Sequence, residues 1–400
     1  LTPYQSSYLR DATNRISTVG IVAHASSRRF RLGDSSELRF RYGLDAYHDD
    51  VSSEEETLLT AVNRTIPSAR PQYVDGATFL TSGAFLDGSL TLWEDLEIHA
   101  GSRVALAFAK ADGDVATGTD VVDRTWVTPV GRAGISYRWA QGLSTTFNYD
   151  QGFRAPNLDD LTARQLVGSG FQFENSDLEA ERSHTFELGQ ALRTDWLSVD
   201  LWTFAMLIDD AIARSTPAAS ECPPEQADCV ASRSRVQLAN APGTTFLWGA
   251  DGGVTLYAPE NVTFRTTVGW AWGEQDNVST DNNSFYGTRV PVSRVPPLNG
   301  TVEGRWRHRN TGLYAGAGFR WALAQTRLAP ADVQDARIPL GGTPGYAVLD
   351  LRMGWRYRRG VQLGVVLENV FDSAYRVHGS SINQAGRGVL ATLSVTPGDF

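Results

Sequence analysis

The feature that most constrains this chain is an alternation of apolar and polar residues with a period of two. In residues 347–358, one parity holds Ala347, Leu349, Leu351, Met353, Trp355 and Tyr357, and the other is mainly charged. Successive side chains of a strand point to opposite faces, so this pattern predicts strands with one apolar and one wet face. About fifteen such segments are predicted, at 16–30, 36–48, 79–92, 96–109, 131–139, 143–151, 183–193, 196–212, 232–257, 262–273, 295–309, 312–324, 345–358, 361–370 and 388–396.

The connections between these segments alternate between short and long. Seven short turns include Gln141-Gly142 and Asn310-Thr311, and they alternate with seven long connections at 49–78, 111–130, 152–182, 213–231, 274–294, 325–344 and 371–387. Tight turns on one side and long loops on the other are typical of outer-membrane barrels. The sequence therefore predicts an all-β fold, a transmembrane antiparallel up-and-down β-barrel.

The two faces of the predicted strands favour this barrel over a soluble β-sandwich, which would also alternate. The polar face carries Asp350, Arg352 and Arg356, which we expect to face a water-filled lumen. The apolar face often ends in aromatic residues, such as Trp355 and Tyr357, as membrane interfaces require. No run approaches eighteen apolar residues, which argues against membrane-spanning helices.

Charge and motif content disfavour other classes of function. The net charge of −9 argues against a nucleic-acid partner, since such proteins usually carry a basic face. The six histidines are scattered without metal-ligand spacing, and no catalytic or phosphate-binding motif is present. We therefore expect no enzymatic activity, no metal site and no resident cofactor.

The two cysteines lie seven residues apart, at Cys222 and Cys229, in a long connection. No further ligand residues accompany them as a zinc site would need, and the C-x-x-C spacing of redox proteins is absent. The spacing favours a disulfide across an external loop and an oxidising compartment, against the alternative of two reduced thiols.

Five segments, in order along the chain, resemble recurrent segments of the TonB-dependent outer-membrane receptors. They are Gly152-Phe-Arg-Ala-Pro-Asn-Leu-Asp-Asp-Leu161, Asn175-Ser-Asp-Leu-Glu-Ala-Glu-Arg-Ser183, Arg294-Val-Pro-Pro-Leu-Asn-Gly300, Arg337-Ile-Pro-Leu-Gly-Gly-Thr-Pro-Gly-Tyr346 and Glu368-Asn-Val-Phe-Asp-Ser-Ala-Tyr-Arg376. Their prolines stand at loop ends of strands, where a missing N–H costs little. Each segment has two interpretations, barrel architecture and direct ligand contact, and we favour architecture.

The resemblance implies a plug domain and a 22-stranded barrel, of which about seven strands would lie outside this chain. We assign residues 16–400 to the C-terminal portion of such a barrel and residues 1–15 to the remnant of an external loop, with no plug domain. Open edges in lipid would leave backbone groups unpaired. Three explanations compete: a second, plug-bearing N-terminal chain that also contacts TonB, a receptor nicked in an external loop, and a truncated product that closes as a pore.

The resemblance implies active uptake of a metal chelate, such as a siderophore complex, or a similar large nutrient, through the outer membrane of a Gram-negative bacterium. Ligand-loop candidates are Phe153, Arg154, Asn175, Asp177 and Tyr286. Related haem receptors carry a histidine between the corresponding boxes, and residues 158–174 contain none, which disfavours haem. The alternatives are a passive porin-like channel and a structural barrel in a surface assembly.

Overall fold

The computed structural model describes residues 8–167, 170–224, 226–232, 234–279, 286–335, 337–357 and 360–396. Its main element is an antiparallel meander in which each long strand pairs with the next along the chain. Fifteen long strands form it, as predicted: Tyr8–Ser26, Glu37–Leu59, Ala77–Leu92, Leu96–Ala111, Val122–Ala140, Leu143–Arg154, Glu181–Arg193, Leu197–Asp209, Thr245–Ala258, Val262–Asp276, Asn299–Arg307, Leu313–Ala322, Tyr346–Tyr357, Val361–Glu368 and Gly388–Val395.

Smaller elements occupy the connections. Three short strands, Phe30–Arg31, Arg64–Pro67 and Arg289–Pro291, extend the large sheet. A separate four-stranded sheet consists of Gln165–Val167, Gly170–Phe173, Ile212–Ser215 and Arg235–Asn240. The helices are Leu158–Thr162, Ala227–Ala231 and Pro330–Gln334, with single 3₁₀ turns at Ala219–Glu221 and Pro259–Asn261. Among the described residues, no helix is both long enough and apolar enough to cross a membrane.

The first two strands are longer than the sequence predicted. The first strand begins at Tyr8, so residues 8–15 belong to the sheet, while residues 1–7 lie outside the described part. The second strand continues to Leu59, and the two pair over the whole length of the first. The added residues show no alternation of apolar and polar side chains, because both faces of this extension are largely polar. The strands still pair there, since backbone hydrogen bonds do not require an apolar face.

The strand predicted at 232–257 is two strands. Pro242 lacks a backbone N–H, and with Gly243 it interrupts the segment between Arg235–Asn240 and Thr245–Ala258. The first part leaves the meander and joins the four-stranded sheet, where it runs parallel to Gly170–Phe173. Part of the predicted segment is thus a strand as expected, but it lies in a different sheet.

The register assigns each residue of the meander to one of two faces. Ala315, Met353 and Val365 are direct neighbours on one face, and Gly316, Arg352 and Val366 on the other. The first face carries the large exposed apolar side chains: Met353 is 59% exposed. We call the opposite one the charged face, because most of the ion pairs within the sheet lie on it.

The buried apolar core lies under the long connections rather than along the sheet. Helix Leu158–Thr162 inserts Leu158 and Leu161 against Val51, Val122 and Trp126 at the strand ends. Such a position is expected for a barrel, whose strands face solvent or lipid on each side, so only capping loops build an interior.

Candidate functional site

The long connections all emerge at the same end of the meander, and we call them together the long-loop rim. The rim consists of residues 60–76, 112–121, 155–180, 210–244, 277–298, 323–345 and 369–387. Side-chain contacts link each of these loops to the next. The rim is therefore a connected structure and not a set of independent loops.

A buried ion pair lies at the centre of the first half of the rim. Arg164 is bonded to Glu174 through Nε, at 2.8 and 2.6 Å from the two carboxylate oxygens, and their side chains are only 2% and 8% exposed. The same guanidinium donates to the carbonyls of Thr117 and Gly118, each at 2.8 Å. Because its donors reach both its own loop and loop 112–121, this one side chain fixes loop 112–121 against loop 155–180.

Arg70 adds a second buried cation to the same region. It donates to the Thr119 hydroxyl at 3.0 Å, to the Pro71 carbonyl at 2.6 Å and to the carbonyl of Thr162. Burial lowers the pKa of Arg70 to about 10, against the opposing attraction of Glu174. Neither Arg70 nor Arg164 is predicted as a site residue from the sequence, since each has partners in another loop.

The segment beginning at Phe153 proves to be a structural junction. Arg154 bonds Glu181 at 2.5 Å on the neighbouring strand and Asp160 at 2.8 Å in the short helix. Asn157 caps that helix by accepting from the Asp160 N–H at 2.9 Å, and Asp160 accepts from the Asn157 N–H. The Phe153 ring packs against the apolar core under the loops. These contacts support the architectural interpretation of this segment.

The three other candidates for ligand contact differ from one another. The Asn175 side chain is hydrogen-bonded within the rim: its amide donates to the Leu238 carbonyl at 2.8 Å and its oxygen accepts from the Asp177 N–H at 3.1 Å. The Asp177 side chain is exposed, and Tyr286 is 57% exposed. Asp177 and Tyr286 thus belong to two different loops and both face solvent.

The predicted disulfide between Cys222 and Cys229 is confirmed. Cys229 is fully buried and packs with Phe171 and Phe173 of the four-stranded sheet. The disulfide closes a ring within loop 210–244, and the packing of Cys229 joins this loop to loop 155–180. In helix Ala227–Ala231, Asp228 accepts from Arg10 of the first strand at 2.6 Å.

A second buried carboxylate organises the other half of the rim. Asp335 is bonded by Arg337 at 2.6 Å and Arg294 at 3.1 Å, with Arg214 at 3.9 Å. Burial raises the pKa of Asp335 above its usual range, while Arg294 and Arg214 oppose that rise. Two of these arginines begin segments that resembled the receptor family, so those segments meet in space.

The charged face of the meander carries a series of ion pairs. Asp350, only 8% exposed, pairs with Arg320 at 3.1 Å and accepts from the Asn369 N–H at 2.9 Å. Arg352 pairs with Glu303 at 2.9 Å. Arg356 shares this face and donates to the Gln362 side chain at 3.3 Å. The three residues predicted to face the lumen therefore share one face, opposite to Met353.

Comparison with known proteins identifies this combination of meander and loops. The family model described as TonB dependent receptor-like, beta-barrel, matches residues 2–370. The chain therefore belongs to this receptor family, whose barrels lie in the outer membrane of Gram-negative bacteria. The fold is the transmembrane antiparallel barrel expected from the sequence.

Individual relatives agree with this assignment. The pesticin receptor of Yersinia pestis is 26% identical over 212 residues, which are 50% of this chain and 26% of the receptor. The copper transporter OprC has a TM-score of 0.77 at 16% identity, covering 96% of this chain and 57% of that one. The ferric yersiniabactin uptake receptor FyuA from Yersinia pestis has a TM-score of 0.64 at 16% identity, covering 98% and 54%. The chain thus spans little more than half the length of these solved receptors, and its match to the pesticin receptor covers about a quarter of that protein.

Proposed function

We propose that this chain forms the C-terminal portion of the barrel of an active outer-membrane receptor for a metal chelate. This portion comprises the predicted residues 16–400 and also the strand residues that begin at Tyr8. The observation that carries the proposal is the fifteen-stranded meander with its connected long-loop rim, in a chain of the receptor family. The charged face then lines the lumen, with Asp350, Arg352 and Arg356 on its wall.

The two ends of the meander support completion by further strands. Within the described residues, Tyr8–Ser26 pairs only with Glu37–Leu59, and Gly388–Val395 pairs only with Val361–Glu368. Each unpaired backbone group in hydrocarbon costs several kcal/mol, so both edges need partners in a membrane. We assign these partners to the plug-bearing N-terminal polypeptide of the same receptor, which would also provide the contact with TonB.

A metal chelate is the proposed cargo because the structural relatives are receptors or transporters for metals or metal complexes. FyuA takes up ferric yersiniabactin, OprC is a copper transporter, and the HasR structure of Serratia marcescens contains heme and its hemophore. In this chain residues 158–174 hold no histidine, which favours a siderophore-type chelate over haem. Asp177 and Tyr286 are the proposed contacts from the rim, since both side chains face solvent.

The uptake proposal is tested by deleting the gene and measuring growth and labelled-iron accumulation with a panel of ferric siderophores. We expect loss of uptake for one chelate class and restoration by the intact gene. A parallel strain without TonB separates the alternatives: uptake that continues there indicates a passive channel, whereas normal uptake in the deletion strain contradicts a transport role.

The completion proposal is tested by isolating the tagged chain from outer membranes under non-denaturing conditions and sequencing all associated peptides by mass spectrometry. Plug peptides on a separate polypeptide support the two-chain arrangement, and plug peptides covalently continuous with the tag support a single receptor. A cysteine pair that links Tyr8–Ser26 directly to Gly388–Val395 in the membrane would contradict completion in either form.

A further inference from the structure

The apolar face of the meander carries a slot between aromatic side chains, in the half nearer the long-loop rim. Ala205 lies on its floor, and the register places Phe186 directly opposite on one side and Trp248 on the other. Thr203 continues the floor one step toward the short turns. A cavity of about 410 Å³ follows these residues, and we call it the aromatic slot.

The width of the aromatic slot determines what can occupy it. Phe186 and Trp248 stand two strand spacings apart, about 10 Å, and the thickness of their rings takes up part of this distance. A helix with its side chains is about 10–12 Å across, so a helix of a partner protein does not fit, whereas a single extended hydrocarbon chain does. Phe186 is 41% exposed and Trp248 is 42% exposed, so the rest of the described chain leaves the slot open.

Two polar side chains stand above the slot, on the side of the long-loop rim. His184 precedes Phe186 by two residues on the same face of the strand, and its Nδ1 lies 2.8 Å from the Tyr149 hydroxyl. A hydroxyl that donates to Nδ1 leaves the ring proton on Nε2, and within the described residues Nε2 makes no hydrogen bond. Arg182, two residues further along, is exposed on the same face. The slot therefore leads to a free N–H donor and a guanidinium group.

Arg182 differs from the other arginines at the rim end of the apolar face. Arg289 and Arg327 each pair with a carboxylate, at 3.1 and 2.9 Å. Arg182 forms no ion pair in the part of the chain that the structure describes. Asp209 is opposite Arg182 in the register, but it accepts from the Thr244 hydroxyl at 2.7 Å. The planar guanidinium of Arg182 is thus available to an anion, and phosphate matches its geometry.

We propose that the aromatic slot binds one acyl chain of a phosphorylated glycolipid of the outer leaflet, whose phosphate is held by Arg182 and whose sugar or phosphate oxygen accepts from His184. The long loops of outer-membrane barrels are external, so the slot lies in the outer leaflet, where the lipid of Gram-negative bacteria is a phosphorylated glycolipid. Neighbouring lipid chains are as apolar as the slot, so binding depends on packing against the rings and on the head-group contacts. This inference rests on the membrane placement of the barrel and goes beyond the uptake of a cargo.

The test counts the lipid that the receptor retains. The intact receptor is purified from outer membranes, exchanged extensively into mild detergent and examined by native mass spectrometry, and we expect one retained glycolipid. Ala205→Trp fills the slot and should lower this retention by about tenfold or more, because the chain loses its packing contacts. The matched control is Ala84→Trp, the same change on the same face between Leu44 and Val104, and it should retain the glycolipid.

Head-group variants test the phosphate contact separately. Arg182→Gln should lower the retention by about twofold to fivefold, since an exposed charge contributes little by itself, and Arg182→Lys should remain close to the unaltered receptor. Heat-modifiable migration in electrophoresis shows whether each barrel is folded. If Ala205→Trp does not fold, the smaller change Ala205→Val, which narrows the slot, takes its place beside Arg182→Gln.

The outcomes separate this proposal from the uptake proposal. The lipid site is overturned if the unaltered receptor retains no glycolipid or only phospholipid, or if neither the slot variant nor Arg182→Gln lowers the retention. Equal losses in Ala205→Trp and Ala84→Trp also overturn it, because the slot would then not differ from the rest of the apolar face. Each of these results leaves the receptor function standing, which is tested by chelate uptake.

Discussion

Replacing Glu174 with glutamine should open the first half of the long-loop rim. The change removes the only carboxylate bonded to Arg164 in the described structure and leaves the shape of the side chain almost unaltered. Arg164 is 2% exposed, so its charge would remain buried with two carbonyl partners. Breaking a buried pair in this way costs about 3–5 kcal/mol.

The assay is hydrogen–deuterium exchange on the receptor in detergent or vesicles, followed by peptides from residues 112–121 and 155–180. Since a tenfold change corresponds to about 1.4 kcal/mol, the loss predicts exchange about a hundredfold to several thousandfold faster in these loops. The strands of the meander should keep their protection, because loops open without unfolding the barrel.

Two further variants test whether the buried pair of Arg164 and Glu174 holds the rim together. Asp200→Ala removes the partner of Arg193 at a short turn, where the side chains are 44–50% exposed, so the loss should be at most about 1 kcal/mol. The double variant Arg164→Met, Glu174→Leu removes both charges and should recover most of the protection. If Glu174→Gln exchanges no faster than Asp200→Ala, or if the double variant is as open as the single one, the buried pair does not hold the rim.

Three other predictions follow from the same structure. Converting Cys222 and Cys229 to serine should weaken loop 210–244 by about 2–3 kcal/mol, seen as faster limited proteolysis there while the barrel stays resistant. Leu351→Arg on the apolar face should lower the free energy of unfolding in vesicles by about 2–4 kcal/mol, whereas Thr267→Arg on the charged face should change it by less than about 1 kcal/mol; equal losses would contradict the assignment of faces. Tyr73, whose pKa is raised by burial to about 12, contributes stability below pH 10 that is lost as the pH rises toward 12. Tyr73→Phe should remove this dependence in a rim-exchange profile between pH 9 and 12.

Alternation by itself determined the number and faces of the strands. The face of a residue such as Met353 or Arg352 can be predicted from its immediate neighbours, because apolar side chains facing lipid alternate with polar side chains facing water along a strand. The asymmetry of the connections likewise determined the meander, since neighbouring strands joined by tight turns must pair. Both signals are read from adjacent residues and need no knowledge of distant contacts.

Tertiary structure alone decided what the long connections do. Residues 8–15 and 52–59 form strands because each provides the other's backbone partners. Their largely polar side chains give no alternation from which this pairing could be predicted. Arg164 found Glu174 within its own loop, but its other partners come from loop 112–121, and Asp335 gathers arginines from three loops. Such contacts depend on loops that the barrel brings together, so no local pattern in the sequence predicts them. The sequence shows only which charged residues are present.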